Sequence, residues 1–522
     1  MAALSAVAAL LMAGCADTGT PDSSADPATT GWVGERADGG TPSDGGTVSY
    51  ATYRGVSSLD PAARQDGGAT GGTEMAAIYD LLMRYDTEAG EYVPQLAESL
   101  RADDADTRWT LTLRDGPEFS DGTPVDADAV AWSIARYVEK KGTHAQVWQA
   151  SVDATTVLDP RTVQFTLSRP WAEFPALLAS GPGMIVAPSS VHGDDFTPVG
   201  AGPFTVAEFN PQNALVLRAR KDYWGGAPHL DTLRFPAIVE EQGKIDTLKA
   251  GGVQLAYVKN AETVHSAIAS GLSGWSYTAN MSGVALINSR PDRAGADERV
   301  RKAIVAAINP DTYNNRVLGG FGDPGSAMFP EGSEWFSGTQ RSAFDPDEAR
   351  RLLAAAKADG YDGTLVYAGQ NEANGRKSAL AFQAMLESVG FTVELALANN
   401  INDLVKRMYA THDYDVGYSG FNVPDDAPFV RLYGNLYSDS PANPMGYENA
   451  DMDRLLLEVQ TARNEQDKRA ALGRVQDLVD RTAPFATIGS SRSFIAMSDS
   501  VHNVTPSRDG IMLFGDAWVE QS

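Results

Sequence analysis

Six histidines, at positions 144, 192, 229, 265, 412 and 502, are the first places to look for catalysis or metal binding in this chain. No two stand four residues apart, so the two-histidine face of a helical zinc site is absent. There is no Ser-x-x-Lys and no Gly-x-Ser-x-Gly, which removes two common activated serines. Gly243-Lys244 lacks the upstream glycine of a phosphate-binding loop. Gly320-Phe321-Gly322-Asp323-Pro324-Gly325 does fit G-x-G-x-x-G. A dinucleotide fingerprint, however, needs a strand before it and a helix start after it. Here the preceding stretch reads as helix, and Pro324-Gly325-Ser326 reads as surface loop. Acidic pairs such as Asp103-Asp104 fall in polar turns, where solvated charge is the default. The pattern predicts no catalytic residue, no metal and no cofactor. It leaves binding, in which aromatic contact area is oriented by a few polar groups.

The single cysteine, Cys15, has a position that suggests its use. Met1 to Leu11 is an apolar run, too short to span a bilayer, and it ends in Met12-Ala13-Gly14-Cys15. A short apolar segment closing on small residues reads as a signal peptide, here residues 1–14. The cysteine after the small pair resembles a bacterial lipobox, in which Cys15 would carry a diacylglycerol and become the new N-terminus. Met12 stands where leucine is commoner, and no Lys or Arg precedes the run, which points to a start codon farther upstream. No later segment reaches the roughly 18 apolar residues of a membrane helix. The expected location is therefore extracytoplasmic (or periplasmic), anchored to the outer face of the cell membrane by lipid. The net charge of −26, from 68 acidic and 42 basic side chains, repels phosphate backbones and excludes nucleic acid as a partner.

The elements that must position a binding site follow from periodicity. At 522 residues the chain is too long for one core, so two or three packed units are expected. Residues 15–46 are rich in Gly, Ser, Thr, Asp and Pro and read as a flexible tether, with Trp32 incidental. Thr47 to Tyr53 alternates with period two and predicts the first strand. Asp126 caps a helix running to about Lys141, and Thr162–Leu167 predicts a strand. Further strands are expected at Phe204–Phe209 and Ala214–Ala219. Asp345 and Pro346 start a helix to about Lys357, followed by strand Thr364–Tyr367, helix Ser378–Ser388 and strand Thr392–Leu397. Strand, helix, strand is the unit of an α/β lobe. Amphipathic helices are expected at Asp451–Val459 and Glu465–Asp480.

Several stretches, in order, resemble the family 5 extracellular solute-binding proteins, the peptide, dipeptide and nickel receptors of ABC importers. Pro94-Gln95-Leu96-Ala97-Glu98-Ser99 is followed by Trp109-Thr110-Leu111-Thr112-Leu113-Arg114-Asp115-Gly116. Then come Phe119-Ser120-Asp121-Gly122-Thr123-Pro124 and Ser133-Ile134-Ala135-Arg136. Ser57-Ser58-Leu59-Asp60-Pro61, Gly200-Ala201-Gly202-Pro203-Phe204, Asp222-Tyr223-Trp224-Gly225-Gly226 and Asp297-Glu298-Arg299-Val300-Arg301 match as well. Arg220 stands where asparagine is usual. The resemblance implies an α/β, bilobal fold of the periplasmic-binding-protein type II kind, with an extra α/β domain on the first lobe. It places the first lobe at 47–57, 185–283 and 487–522, the extra domain at 58–184 and the second lobe at 284–486. It also implies a monomer that captures a small-molecule solute by hinge closure and hands it to permease and ATPase subunits. Oligopeptides lead as the solute, with an oligosaccharide or metal chelate as the alternative. In peptide-binding members an aspartate of the second lobe pairs with the peptide amine, and alignment puts Asn422 there. An amide lacks the charge-assisted bond, although a shift of a few residues would restore it through Asp425 or Asp426. Tyr53, Phe421, Asn422 and Asp425 are the expected ligand-binding residues.

Overall fold

Two long strands run through the middle of the main sheet and belong to both of its halves. The computed structural model describes residues 30–36, 39–338 and 343–520, so Cys15 and the apolar leader lie outside the described residues. Ten strands of the main sheet follow one path: Phe204–Asn210, Ala214–Ala219, Thr232–Pro236, Thr47–Ala51, Leu255–Val258, Phe485–Met497, Gly274–Ile287, Val416–Ser419, Thr364–Gln370 and Thr392–Ala398. Gly274–Ile287 and Phe485–Met497 pair antiparallel with each other. Phe494–Met497 also pairs with Leu255–Val258 on the first-lobe side, while Val284–Ile287 pairs with Val416–Ser419 on the second-lobe side. Between those ends the ladder breaks: Ala279 faces Ser491, and the next pair is Gly283 with Gly489. Met281 in the interruption has φ +49°. A bulge of this kind bends and loosens a strand pair, and here it falls where the halves meet. The result is a mixed α/β fold in two lobes.

A separate antiparallel sheet, in the order Ala97–Ala102, Arg108–Leu113, Thr162–Leu167, Val152–Asp159, is packed by helix Ala127–Glu139. Asp126 caps that helix by accepting from the Ala129 amide at 2.8 Å. The sequence motifs resolve into ties within this unit and between it and the first lobe. Arg136 pairs with Asp60 at 2.5 Å, both largely buried. Arg220, 5% exposed, donates to the carbonyls of Gly200, Gly202, Glu118 and Phe119 at 3.1–3.4 Å. Tyr223 and Trp224 both donate to buried Asp80. Replacing asparagine by arginine at position 220 therefore leaves no gap; its guanidinium spans four carbonyls of two motifs.

Two local expectations differ from the structure. The helix expected from Ser378 starts at Ala373, because Glu372 accepts from the Asn374 and Gly375 amides and caps it earlier. Trp32, read as incidental, belongs to strand Gly31–Val33, which pairs with Gly274–Ser276. Its ring meets Trp275 edge-on at 5.5 Å. The open edge of a hinge strand needs backbone partners, and local composition carries no sign of a partner some 240 residues away.

Helix Gly72–Tyr79 places Glu74 in its first turn, 1% exposed, against Thr52 at the end of strand Thr47–Ala51. Thr52 Oγ1 donates to one carboxylate oxygen at 3.1 Å, and the other has no hydrogen-bond partner. Burial pushes this carboxyl up to about 7. A group raised in this way favours the fold fully only below its unfolded value, and that contribution is lost as pH climbs through about 7. Glu74→Gln, which carries no charge, should stabilise the protein by on the order of 2 kcal/mol at about pH 8 and by almost nothing at about pH 4. Thermal unfolding at the two pH values checks this.

Candidate functional site

The parallel strands of both lobes aim their carboxyl ends at the same place. In the first lobe, Thr232–Pro236, Thr47–Ala51 and Leu255–Val258 are mutually parallel. Val258 pairs with Phe494, the residue of that pairing nearest the ladder break. In the second lobe, Thr364–Gln370, Thr392–Ala398 and Val416–Ser419 are parallel, and Ser419 pairs with Val284, again beside the break. Open α/β sheets bind ligands in the crevice outside the carboxyl ends of their strands. The candidate site is therefore the crevice over the hinge, with one wall from each lobe.

Tyr53 leaves the first wall two residues past its strand and is half-buried, edge-on to Tyr257 at 5.7 Å. Lys259 Nζ lies 4.1 Å from its ring centre and the Arg54 guanidinium 5.1 Å. Burial pushes the phenol up, but Lys259 and Arg54 outweigh it and hold the phenol below its ordinary value. Below it, fully buried Lys244 donates from Nζ to the Tyr53 and Tyr257 carbonyls at 3.1 and 3.3 Å. Burial pulls this ammonium down to about 8.

The second wall carries the loop after Ser419. Phe421 lies under it, 3% exposed, against Phe485. Asn422 is exposed at φ +49°, with its amide directed back at the Gly420 carbonyl. Asp425 accepts from Asn280 Nδ2 at 2.7 Å and Ser333 Oγ at 2.6 Å, so it fastens the loop to the hinge bulge. Burial raises its carboxyl. Its neighbour Asp426 reaches across: the Tyr92 hydroxyl donates to it, and Arg508 Nε lies 3.0 Å away. Arg508 and Asp426 are 7% and 8% exposed, and Arg508 also donates to the Ala176 carbonyl. Beside them Arg431 faces Asp509 at 3.6 Å, and Asp66 holds His144 at 2.9 Å.

The four expected residues thus divide. Tyr53 stands on one wall with Asn422 and Asp425 on the other, and Phe421 supports the loop from within. Tyr92, Arg508, Lys244 and Lys259 went unrecognised. Arg508 sits 82 residues past Asp426 in an unpatterned segment, so no local signal marks it. Lys259 follows a buried four-residue strand, and its place at a carboxyl end was the one available cue. The G-x-G-x-x-G segment, expected to end in a surface loop, instead contains the short strand Asp323–Pro324, paired with Ser490 and Gly489 of the hinge, and its Phe321 meets His265 of the first lobe at 4.9 Å. Farther out, Trp171 packs edge-on to Phe429 at 5.3 Å, Gln460 donates to Ser151, and Lys468 pairs with Glu173. Among the described residues, no group of three or more His, Cys, Asp or Glu is placed to hold a metal. No described helix is long and apolar enough to cross a membrane.

A two-lobed body hinged beneath a shared crevice defines a binding protein. Residues 91–441 match the bacterial extracellular solute-binding proteins, family 5 middle region, and the chain belongs to that family. It is similar, at 27% identity over 472 residues, to the probable D,D-dipeptide-binding periplasmic protein DdpA of Escherichia coli K12, covering 85% of this chain and 88% of that protein. Its fold matches the oligopeptide-binding protein AppA of Bacillus subtilis, solved with a nonapeptide, with TM-score 0.77 and 18% identity over 92% of this chain and 100% of that one. It also matches NikA of Brucella suis, solved with Fe(III)-EDTA, with TM-score 0.74 and 20% identity over 91% of this chain and 100% of that one. The protein is a non-enzymatic solute-binding receptor of an ABC importer.

Removing one partner of a buried ion pair strands the other charge. Arg508→Met should therefore cost about 3 kcal/mol, and adding Asp426→Asn should recover most of that loss. Denaturant unfolding of the two single variants and the double variant measures both.

Proposed function

We propose that the solute is an oligopeptide, captured between the walls by hinge closure, with its ammonium taken by the loop Gly420–Asp426. The observation that carries this reading is the Asp426–Arg508 pair, a carboxylate of the second wall already holding a cation across the crevice. A peptide amine offers the same charge to the same carboxylate. Tyr53 and Asn422 would contact the peptide, while Asp425 and Phe421 hold the loop in shape. Closure works as a population shift, because only a solute touching both walls favours the shut form. The alternative solute, an oligosaccharide or metal chelate, is favoured by the exposed amide of Asn422 and by the fold shared with NikA.

Calorimetry of the full chain with a peptide pool and its N-acetylated counterpart tests the choice. The free-amine pool should bind and the acetylated pool should bind at least about tenfold more weakly, the worth of a charge-assisted bond. Binding of neither pool would end the peptide reading.

On the same reading the receptor is a monomer held to the membrane by a lipid on Cys15, with the domain division 47–57, 185–283 and 487–522; 58–184; 284–486. The division has support in the hinge strands and the separate four-stranded sheet. Cys15→Ser should abolish labelling by radioactive palmitate and release the protein into the soluble fraction. Retention of the label would refute the anchor.

A further inference from the structure

We infer that Arg54, Lys259 and the Tyr53 hydroxyl form a subsite on the first wall for an oxyanion of the captured solute, with buried Lys244 as its positioning residue. The inference rests on the reading of the crevice as the solute site and adds what the first wall recognises.

The register assembles the cluster. Strand Leu255–Val258 runs parallel to Thr47–Ala51 with Leu255 opposite Tyr50 and Ala256 opposite Ala51. Continuing that register brings Lys259, one residue past its strand, level with Arg54, three residues past its own, and beside Tyr53. Helix Glu241–Lys249 then delivers Lys244 from below. Three cations gather about one phenol in a chain whose net charge is −26.

Their partners are unusual. Among the described residues, Arg54, Lys244 and Lys259 make no ion pair with a carboxylate. The acid nearest in sequence to the helix start, Glu241, spends its Oε2 on the Lys259 and Asn260 amides at 2.9 and 2.7 Å. Lys244 makes its hydrogen bonds to two backbone carbonyls and feels Glu241 and Glu240 only from a distance, a costly setting for a buried ammonium. Those carbonyls belong to Tyr53 and Tyr257, whose rings flank the cluster, so the ammonium fixes both strand ends. Arg54 and Lys259 are exposed and both donate to the Tyr53 hydroxyl, which leaves their remaining donors and their positive charge for the crevice. That is the chemistry of oxyanion recognition. Two sources supply such a group, the terminal carboxylate of a peptide or a phosphate-like substituent.

The test compares the full wild-type chain with Arg54→Met/Lys259→Met, whose two side chains are exposed and so replaceable without a core defect. Each is titrated with a tripeptide pool and with the same pool amidated at its C-terminus. Thermal shifts with acetate and with inorganic phosphate at constant ionic strength form the second arm. Wild type should bind the amidated pool at least about tenfold more weakly, and the double variant should lose that discrimination. Equal binding of both pools by wild type would overturn the subsite while leaving the peptide receptor intact. Failure of both pools would instead end the peptide reading. In that case phosphate or acetate protection present in wild type and lost in the variant supports the subsite, and its absence overturns it. Lys259→Met alone should raise the Tyr53 titration midpoint, read as the ultraviolet difference against Tyr53→Phe; Lys244→Met should weaken the discrimination between the two pools and Lys244→Arg should restore it, a rescue that loss of packing alone would not give.

Discussion

Everything in this molecule is arranged around one covalent constraint: two strands, Gly274–Ile287 and Phe485–Met497, thread both lobes and are interrupted where the lobes meet. A continuous antiparallel ladder resists bending because doubly hydrogen-bonded pairs recur at every second register step. The skipped pairing between Ala279–Ser491 and Gly283–Gly489 relaxes that resistance at one level only. The freed residues are then reused, since Asn280 exchanges backbone bonds with Val423 and its side chain holds Asp425. The second-wall loop is therefore mounted on the hinge itself, and bending the hinge must move the loop.

The same constraint explains what was legible in the sequence. Strand Thr47–Ala51, helix Ala127–Glu139, and the helix–strand–helix–strand run from Pro346 to Ala398 are local objects, set by periodicity and caps such as Asp126 and Asp345. Family motifs were visible because they are staples: Asp60 to Arg136, Asp80 to Tyr223 and Trp224. The two walls were not visible. They are made by residues such as Lys259 and Arg508, ordinary in their neighbourhoods, which acquire meaning only when distant strand ends converge. Trp32 shows the same limit, for its strand exists only because Trp275 offers an open edge.

Electrostatics divides the crevice in a way total charge conceals. The chain is strongly acidic, yet the first wall gathers Arg54, Lys244 and Lys259 without carboxylate partners. The seam beside it alternates Asp426 with Arg508 and Asp509 with Arg431. Long-range repulsion of anions by the whole surface is screened within about 8 Å at physiological salt. What a solute meets inside the crevice is therefore the local arrangement, and that arrangement is dipolar.

This bears on how a closed receptor avoids closing on nothing in particular. A buried ion pair is roughly neutral against an apolar substitute, because desolvation offsets the attraction. Asp426 and Arg508 thus hold the seam shut only weakly by their own energy, while Trp171 and Phe429 add an apolar contact farther out. On the proposed reading, the solute's ammonium joins Arg508 on the Asp426 carboxylate, so that pair is kept, and the oxyanion adds a second contact on the first wall. A neutral solute wedged into the same space separates the charges and leaves each buried without a partner, at a cost of several kcal/mol. Selection then comes less from affinity for the right solute than from the penalty that the wrong one brings on the protein's own charges.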